Sequence, residues 1–411
     1  MADKTFLPHR SHIIEVKIKG EYLKDYQIRS VRISSTLASY CPSVELQLAM
    51  SSAQIIQDKL YGQDPIFLSI RLLGQDASEL ESHDFELLCT RMTYGSPVTV
   101  ALSDGKQEER GIVNISAVIK EPFVSMTTLV NGVYGGKESP KTVKEVIEDL
   151  AGNTSASIEY DTEGENTEAI DQICVPPRTL YESILYLDDT FGTHDGVPAV
   201  FCRYDNSLHI INLSKRIKKG EVIKVSQPAI DKKDDSVEKK SMDGKHFYIN
   251  GEFKHDFVGN SKFGAIATSL THVVKPADTL FHLVEQTIDG VCSDHGVIFK
   301  NDEFYVDPAI NRTKVLENHT GYEYTESFAN SMMAKQIFNM SSVSFSLGGN
   351  IIIDNFLKVG DPIYIDPLVI EYLDFSGKYI LYKSTITYNK VEEGDWTAAI
   401  SAEAVRTNKT I

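Results

Sequence analysis

CVPPRTLYESILYLDDTFGTHDGVPAVFCRYDNSLHIINL, residues Cys174–Leu213, is the stretch whose reading decides the fold. Pro176 and Pro177 exclude a helix before them and favour an extended approach. Thr179 then stands as an N-cap, with Glu182 three residues on in the capping-box arrangement. Leu180, Ile184, Leu187 and Phe191 follow at spacings of three and four, the apolar stripe of an amphipathic helix. Gly192 sits where such a helix must stop. Val197–Arg203 reads as a buried strand, Asp205-Asn206 as a tight turn and Leu208–Leu213 as the returning strand. The unit is therefore helix, loop and β-hairpin, and it contains no obvious reactive centre.

Upstream of it the texture is β. Ile14, Val16 and Ile18 alternate with Glu15, Lys17 and Lys19, and the same period of two returns in Gln27–Ser34 and Val44–Met50. Ile66–Leu73, Phe85–Met92, Val98–Leu102 and Ile112–Lys120 add further short strands, with one helix expected from Ser51 or Ser52 through Tyr61. Short strands with regular turn signals indicate an antiparallel barrel or sandwich, and residues 1–127 are read as a β-barrel domain. After Pro122 the pattern changes. PKTVKEVIEDLA (Pro140–Ala151) puts Val143, Val146, Ile147 and Leu150 on one helical face, and the acidic Tyr160–Gln172 reads as a surface loop. With the helix–hairpin unit these make an α/β domain, residues 128–230, whose ordered part is expected to end near Val225. The charged run Asp231–Asp243 reads as a linker or loop.

Thr279–Val306 echoes the Thr179 unit: Leu280, Leu283, Val284 and Ile288 on a helical face, then Asp294-His295-Gly296, a strand, the Asn301-Asp302 turn and a second strand. It is taken as an inserted helix–hairpin unit, residues 276–325. The flanking residues 231–275 and 326–411 form a second β-barrel, with strands at Ile337–Leu347, Ile363–Ile365, Tyr379–Tyr388 and Trp396–Val405. Leu357–Asp361 has the look of a barrel corner, where Gly360 lets the strand turn sharply. The fold class is α+β: two antiparallel barrels with α/β elements between and within them.

Composition narrows the function. The 411 residues are 42% hydrophobic and 24% charged, as expected of a globular protein of two to four domains. A net charge of -17 argues against a broad nucleic-acid-binding face, which needs clustered Lys and Arg. MADKTFLPHRSH lacks the apolar core of a signal peptide, and no run of about 18 apolar residues is present to cross a membrane. Five cysteines stand singly (Cys41, Cys89, Cys174, Cys202, Cys292), a spacing that suits reduced thiols in cores, not a zinc site or a disulfide framework. A chain made in a cytoplasm and remaining soluble is the expectation.

The motifs that could carry chemistry are weak. Gly132–Ser139 (GVYGGKES) superficially resembles a phosphate-binding loop, but position 131 is Asn and position 138 is Glu, so a turn is the better reading. His194-Asp195 and Asp294-His295 lack the partner ligands of a metal site and sit in loops where Asp and Gly serve turn geometry. There is no GxSxG elbow, and acidic pairs carry no information in a chain with 58 Asp and Glu. No catalytic residue, cofactor site or metal site is assigned.

Ser139–Ile147, Val175–Leu187 and the Val200–Leu213 hairpin resemble the central part of baseplate hub proteins of contractile phage tails. The N-terminal barrel and the Gly348–Val405 barrel come in the order that family uses, which is also similar to the N-terminal part of type VI secretion spike proteins. The resemblance implies a non-enzymatic homotrimer with two tube-like barrels per chain. Six barrels would form a ring that encloses a channel, docks on a hexameric tail tube or tube-initiator protein, and carries a central spike. With the chain ending at Ile411, the spike is expected to be a separate protein, and baseplate wedge proteins are further expected partners. The location implied is the virion tail, after synthesis in a host cytoplasm. From the acidic balance, the channel wall is expected to be negative and to let DNA pass. Two readings of other classes compete: a tail-associated peptidase or glycosidase, and a receptor- or carbohydrate-binding tail module. The single Trp, Trp396, lies within an expected strand, which disfavours an exposed aromatic sugar site.

Overall fold

The structure is a computed structural model and describes residues 11–24, 27–50, 65–73, 79–101, 107–194, 198–216, 223–226, 246–248, 253–257, 297–300, 303–306, 341–348, 358–366, 377–390 and 396–406. The helices expected at 51–61 and 280–288, the run 231–243 and the Asp294-His295 pair lie outside the described residues. Strands β1 (Ser11–Ile18), β2 (Glu21–Tyr22), β3 (Ile28–Thr36), β4 (Ser43–Met50), β5 (Ile66–Leu73), β6 (Glu79–Ala101) and β7 (Gln107–Ile119) come first. Helix α1 (Lys120–Thr127), β8 (Leu129–Tyr134), α2 (Val143–Ala151), β9 (Ser157–Tyr160), β10 (Ile173–Thr179), α3 (Leu180–Phe191), β11 (Pro198–Cys202), β12 (Ser207–Asn212) and the short α4 (Leu213–Arg216) follow. The remaining strands are β13 (Ile223–Ser226), β14 (His246–Tyr248), β15 (Phe253–Phe257), β16 (Val297–Lys300), β17 (Glu303–Val306), β18 (Ser341–Gly348), β19 (Pro362–Asp366), β20 (Gly377–Lys390) and β21 (Trp396–Arg406).

Fourteen of these strands form one sheet, in the order β14-β13-β19-β20-β3-β4-β7-β6-β5-β1-β2, with β21, β18 and β15 branching from β20. The N- and C-terminal β segments are thus joined, because β3 and β20 pair antiparallel from Lys383↔Thr36 to Asn389↔Ser30. Pairing among the described residues closes neither segment into a barrel; the path stays open from β14 to β2. A single apolar cluster runs under both, from Ile14, Val16, Leu46, Leu68 and Ile115 to Phe345, Ile363, Tyr388 and Ala404.

Two sequence readings change. Phe85–Met92 and Val98–Leu102, expected as separate strands, belong to one 23-residue strand, β6, which stays paired with β7 by taking up bulges at Cys89/Arg91 and Gly95/Pro97. Pro97 cannot donate to a ladder, and a bulge is where a strand tolerates that. Ile223–Ser226, where the α/β domain is expected to end, forms a strand that pairs in parallel with β19 and so belongs to the large sheet.

The middle segment follows the sequence closely. Thr179 caps α3, its Oγ1 accepting from Glu182 N at 3.2 Å while Thr179 N donates to Glu182 Oε2 at 3.2 Å. Leu180, Ile184 and Leu187 are fully buried, in one cluster with Val200, Cys202, Leu208 and Ile210 of the hairpin. Pro176-Pro177 fall on the bulge of β10 between Val175 and Arg178, the place where two missing N–H groups disturb the ladder least. A second capping box, Thr142 with Glu145, starts α2 at Val143, three residues later than the expected Pro140. Ser157–Tyr160 was not anticipated as a strand; as β9 it adds in parallel to β12.

Candidate functional site

Of the residues singled out for possible chemistry, the glycine-rich run and His194 lie among the described residues, and both have structural contacts. Gly132 lies in β8, opposite Val175, with the Tyr134 ring so close that a Cβ would meet it at 2.8 Å. Gly135 holds φ of 80° and backs onto the Asp171 carbonyl, so close packing and a left-handed turn explain this glycine-rich run. Its first half is strand, which corrects the reading of the whole stretch as a turn. His194 is completely buried. Its Nε2 lies 2.8 Å from the Asp161 carbonyl and its Nδ1 3.1 Å from Thr193 Oγ1, while Asp188 accepts from both Thr193 N and Thr193 Oγ1. Tyr160 stacks on the ring at 4.9 Å and donates to the Thr193 carbonyl. This is a satisfied polar knot holding the end of α3; Asp195 lies outside the described residues. Among the described residues, no three His, Cys, Asp or Glu side chains are grouped so as to hold a metal ion.

A junction that the sequence did not announce joins the three parts of the chain. Arg216 grips Asp161 in a two-pronged pair (Nε–Oδ2 2.8 Å, Nη2–Oδ1 3.2 Å) and reaches Asp361 Oδ1 at 3.2 Å. Arg203 donates to the same Asp361 oxygen at 3.3 Å and to the Val359 carbonyl at 3.2 Å. Gly360, at φ of 88°, presses on the hairpin: a Cβ there would meet Ile211 Cδ1 at 2.7 Å. The sharp corner read at Leu357–Asp361 is therefore also the contact point between the hairpin and the C-terminal β segment. From the N-terminal side, Cys202 N donates to the Tyr40 carbonyl at 2.9 Å, and Leu37 N to the Tyr382 carbonyl at 2.9 Å. A cavity of about 40 Å³ remains among them, lined by Ile33, Cys41, Phe201, Arg203, Val359 and Ile386. That is room for a few waters and not for an organic substrate. Beside it His209 stacks on Phe201 at 5.2 Å and lies 2.9 Å from Ser207 Oγ. Burial first, then the positive charges of Arg203 and Arg216, push its pKa down to about 3. Glu159 Oε2 approaches Nδ1 at 3.1 Å without the alignment of a hydrogen bond, so the ring stays neutral.

The seam β3–β20 also creates a surface. Ile33, Val44, Ile115, Ile386, Tyr388 and Ile400 point to the core, so the alternate residues of β21, β20, β3, β4, β7 and β6 share the opposite face. One row across it is Ser401, Thr385, Ser34, Ser43. Another is Thr397, Asn389, Ser30, Gln47, Asn114, Thr93, within which Gln47 Nε2 donates to Asn114 Oδ1 at 3.2 Å. Between these rows Arg32 faces Glu45 at 3.5 Å, and at the margin Lys383 is the cross-strand partner of Glu403. In a chain of net charge -17 this face is hydroxyl- and amide-rich, with Arg32 and Glu45 offsetting one another and the exposed Arg91, opposite Ser116, adding a positive charge beside them. No sequence motif marks it, because only the register brings these residues together.

No family model matches the chain, and no curated protein matches it. Among solved structures it is similar to the 43 kDa tail protein of prophage MuSo2 from Shewanella oneidensis, with a TM-score of 0.51 and 9% identity over 97% of this chain and 100% of that one. It is also similar to the tail protein from Neisseria meningitidis MC58, with a TM-score of 0.49 and 10% identity over 96% of each chain. A chain of the half-lidded PdpA-VgrG complex of Francisella aligns with a TM-score of 0.45 and 10% identity, over 98% of this chain and 59% of that one. The Shewanella alignment shows that this protein shares the fold of that prophage tail protein along nearly its whole length.

Proposed function

We propose that this chain is a non-enzymatic structural protein of a phage tail, a baseplate hub of which three copies form a ring between the hexameric tail tube and a separate spike. In this reading residues 1–127 form one tube-like barrel, and 231–275 with 326–411 form the other. Residues 128–230 and the inserted 276–325 are the supports between them. The pairing of β3 with β20 is the observation that supports the proposal, because it joins the two β segments of one chain edge to edge, as neighbouring segments of a ring wall would be joined. Repeated by three chains, that arrangement presents six β segments to a six-fold tube.

The hydroxyl- and amide-rich face of that sheet is the wall of the channel in this reading. In place of the acidic wall expected from net charge, the ladder sets Arg32 against Glu45 and Lys383 against Glu403, so that Arg91 is the charge on these rows without an opposite one across the ladder. Small uncharged side chains keep the bore wide and offer DNA no counterion release.

The test is the mass of the purified full chain in solution, alone and with its neighbouring gene products. A species of three times 45.8 kDa is expected. A protein that stays monomeric in the mature particle would remove the hub reading. Cleavage of peptidoglycan or peptide by the pure protein would favour the hydrolase reading instead.

A further inference from the structure

Cys41 and Cys202 sit on different parts of the chain, at the β3–β4 turn and at the end of β11, yet both line the junction cavity. The 2.9 Å bond from Cys202 N to the Tyr40 carbonyl ties the backbone next to Cys41 directly to that of Cys202. A disulfide requires Cα atoms roughly 4.4–6.8 Å apart, so a backbone contact of this kind is a precondition for one. Both thiols are free and buried. They also feel one another, since a charge on Cys41 raises the pKa of Cys202. We propose that Cys41 and Cys202 form a disulfide that staples the N-terminal β segment to the hairpin of the middle segment once the chain meets an oxidising small-molecule disulfide.

The chemistry is two exchanges. The thiolate of one cysteine attacks the small disulfide, breaking its S–S bond and releasing one small thiol, with a mixed disulfide left on the protein. The second cysteine, as thiolate, attacks the protein-bound sulfur and expels the second small thiol. Two protein S–H bonds are lost, one S–S bond forms, and the two electrons end in the two small thiols. Burial holds both thiols near 12, so few thiolates exist at neutral pH and the junction must open for the first attack. The exchange is therefore slow at pH 7 and quickens as pH rises. Cys174 is exposed and no cysteine neighbours it among the described residues, so it is expected to stop at the mixed disulfide.

The test uses the full wild-type chain, incubated with glutathione disulfide at pH 8.5, then alkylated, digested without reduction and mapped by mass spectrometry. A linked peptide pair containing Cys41 and Cys202 is expected, with glutathione on Cys174. The oxidised protein is expected to have a higher Tm than the reduced one. Cys202→Ser should lose both the linked pair and the Tm rise, while Cys174→Ser should keep both. Recovery of Cys41 and Cys202 as free thiols after full glutathionylation of Cys174 would overturn the proposal, as would either of them linked to another cysteine. The mapping needs no variant to fold, and its outcome is independent of whether the chain forms a ring.

Discussion

Ser34 and Thr385 lie 351 positions apart in the chain, yet their hydroxyl oxygens are 3.1 Å apart across β3 and β20. The contact marks the middle of the seam that makes two β segments one sheet. Everything proposed about a ring depends on that seam, so it is the first thing to break. Thr387, which faces Arg32 across it, has a neighbour strand on each side. Thr387→Pro removes a ladder N–H in the middle of the sheet, where a strand does not accommodate Pro, and should cost a substantial part of the stability. Thr387→Ser should cost well under that. Urea unfolding of both variants checks this; equal midpoints would mean that the seam contributes nothing to stability.

The α3 face gives a prediction of ordinary core type. Ile184 is fully buried against the hairpin, and Ile184→Ala should lower stability by about 2–5 kcal/mol. An unchanged urea midpoint would show that the helix does not pack there.

The junction charges should differ among themselves. Arg216 and Asp161 are largely withdrawn from water, with side chains 18% and 10% exposed. Arg216→Leu takes the guanidinium from a largely buried Asp161 carboxylate, which keeps the Asn212 N–H, and should cost about 3–5 kcal/mol. Asp361 is 35% exposed, so Asp361→Asn should cost about 1 kcal/mol or less. Denaturant midpoints for the two variants should rank in that order.

His209 predicts a pH dependence. Its folded pKa lies near 3, below the ordinary 6.5, so the unfolded chain takes up the proton first. Stability from this group is complete above about pH 6.5 and falls as pH drops toward 3, by up to about 1.4 kcal/mol per pH unit. Asp205 and Asp161 oppose the shift and Arg203 and Arg216 reinforce it, so the measured slope is a net of these. His209→Gln should flatten the fall between pH 6 and 4 in urea titrations; an unchanged slope would move its cause to other groups.

The proposed channel wall can be tested by adding charge. Ser30, Gln47 and Asn389 lie in one row across the seam, on the face opposite the core. Changing all three to Arg should leave folding intact and create salt-dependent retention of duplex DNA on the assembled protein, which the wild type should lack. Retention by the wild type, or none by the triple variant, would show that this face does not meet the channel.

Much of the fold was legible because it is local. The capping box Thr179–Glu182, the stripe Leu180–Ile184–Leu187 and the period of two in β1, β3 and β4 are set by neighbours a few residues away, and the structure has them where the sequence suggested. The corner at Gly360 was legible for the same reason, since a left-handed position selects glycine wherever the chain goes next. What only the tertiary structure decided is partnership. Nothing in Ser34 names Thr385, nothing in Asp361 names Arg203 and Arg216, and nothing in Cys202 names Cys41. Strand alternation says which residues face a core but not which strand lies alongside, because pairing is chosen by the burial of the whole apolar set and the loops that permit it. The hydroxyl- and amide-rich face across the seam follows from that choice: its residues are ordinary in each strand alone and become a surface only in register.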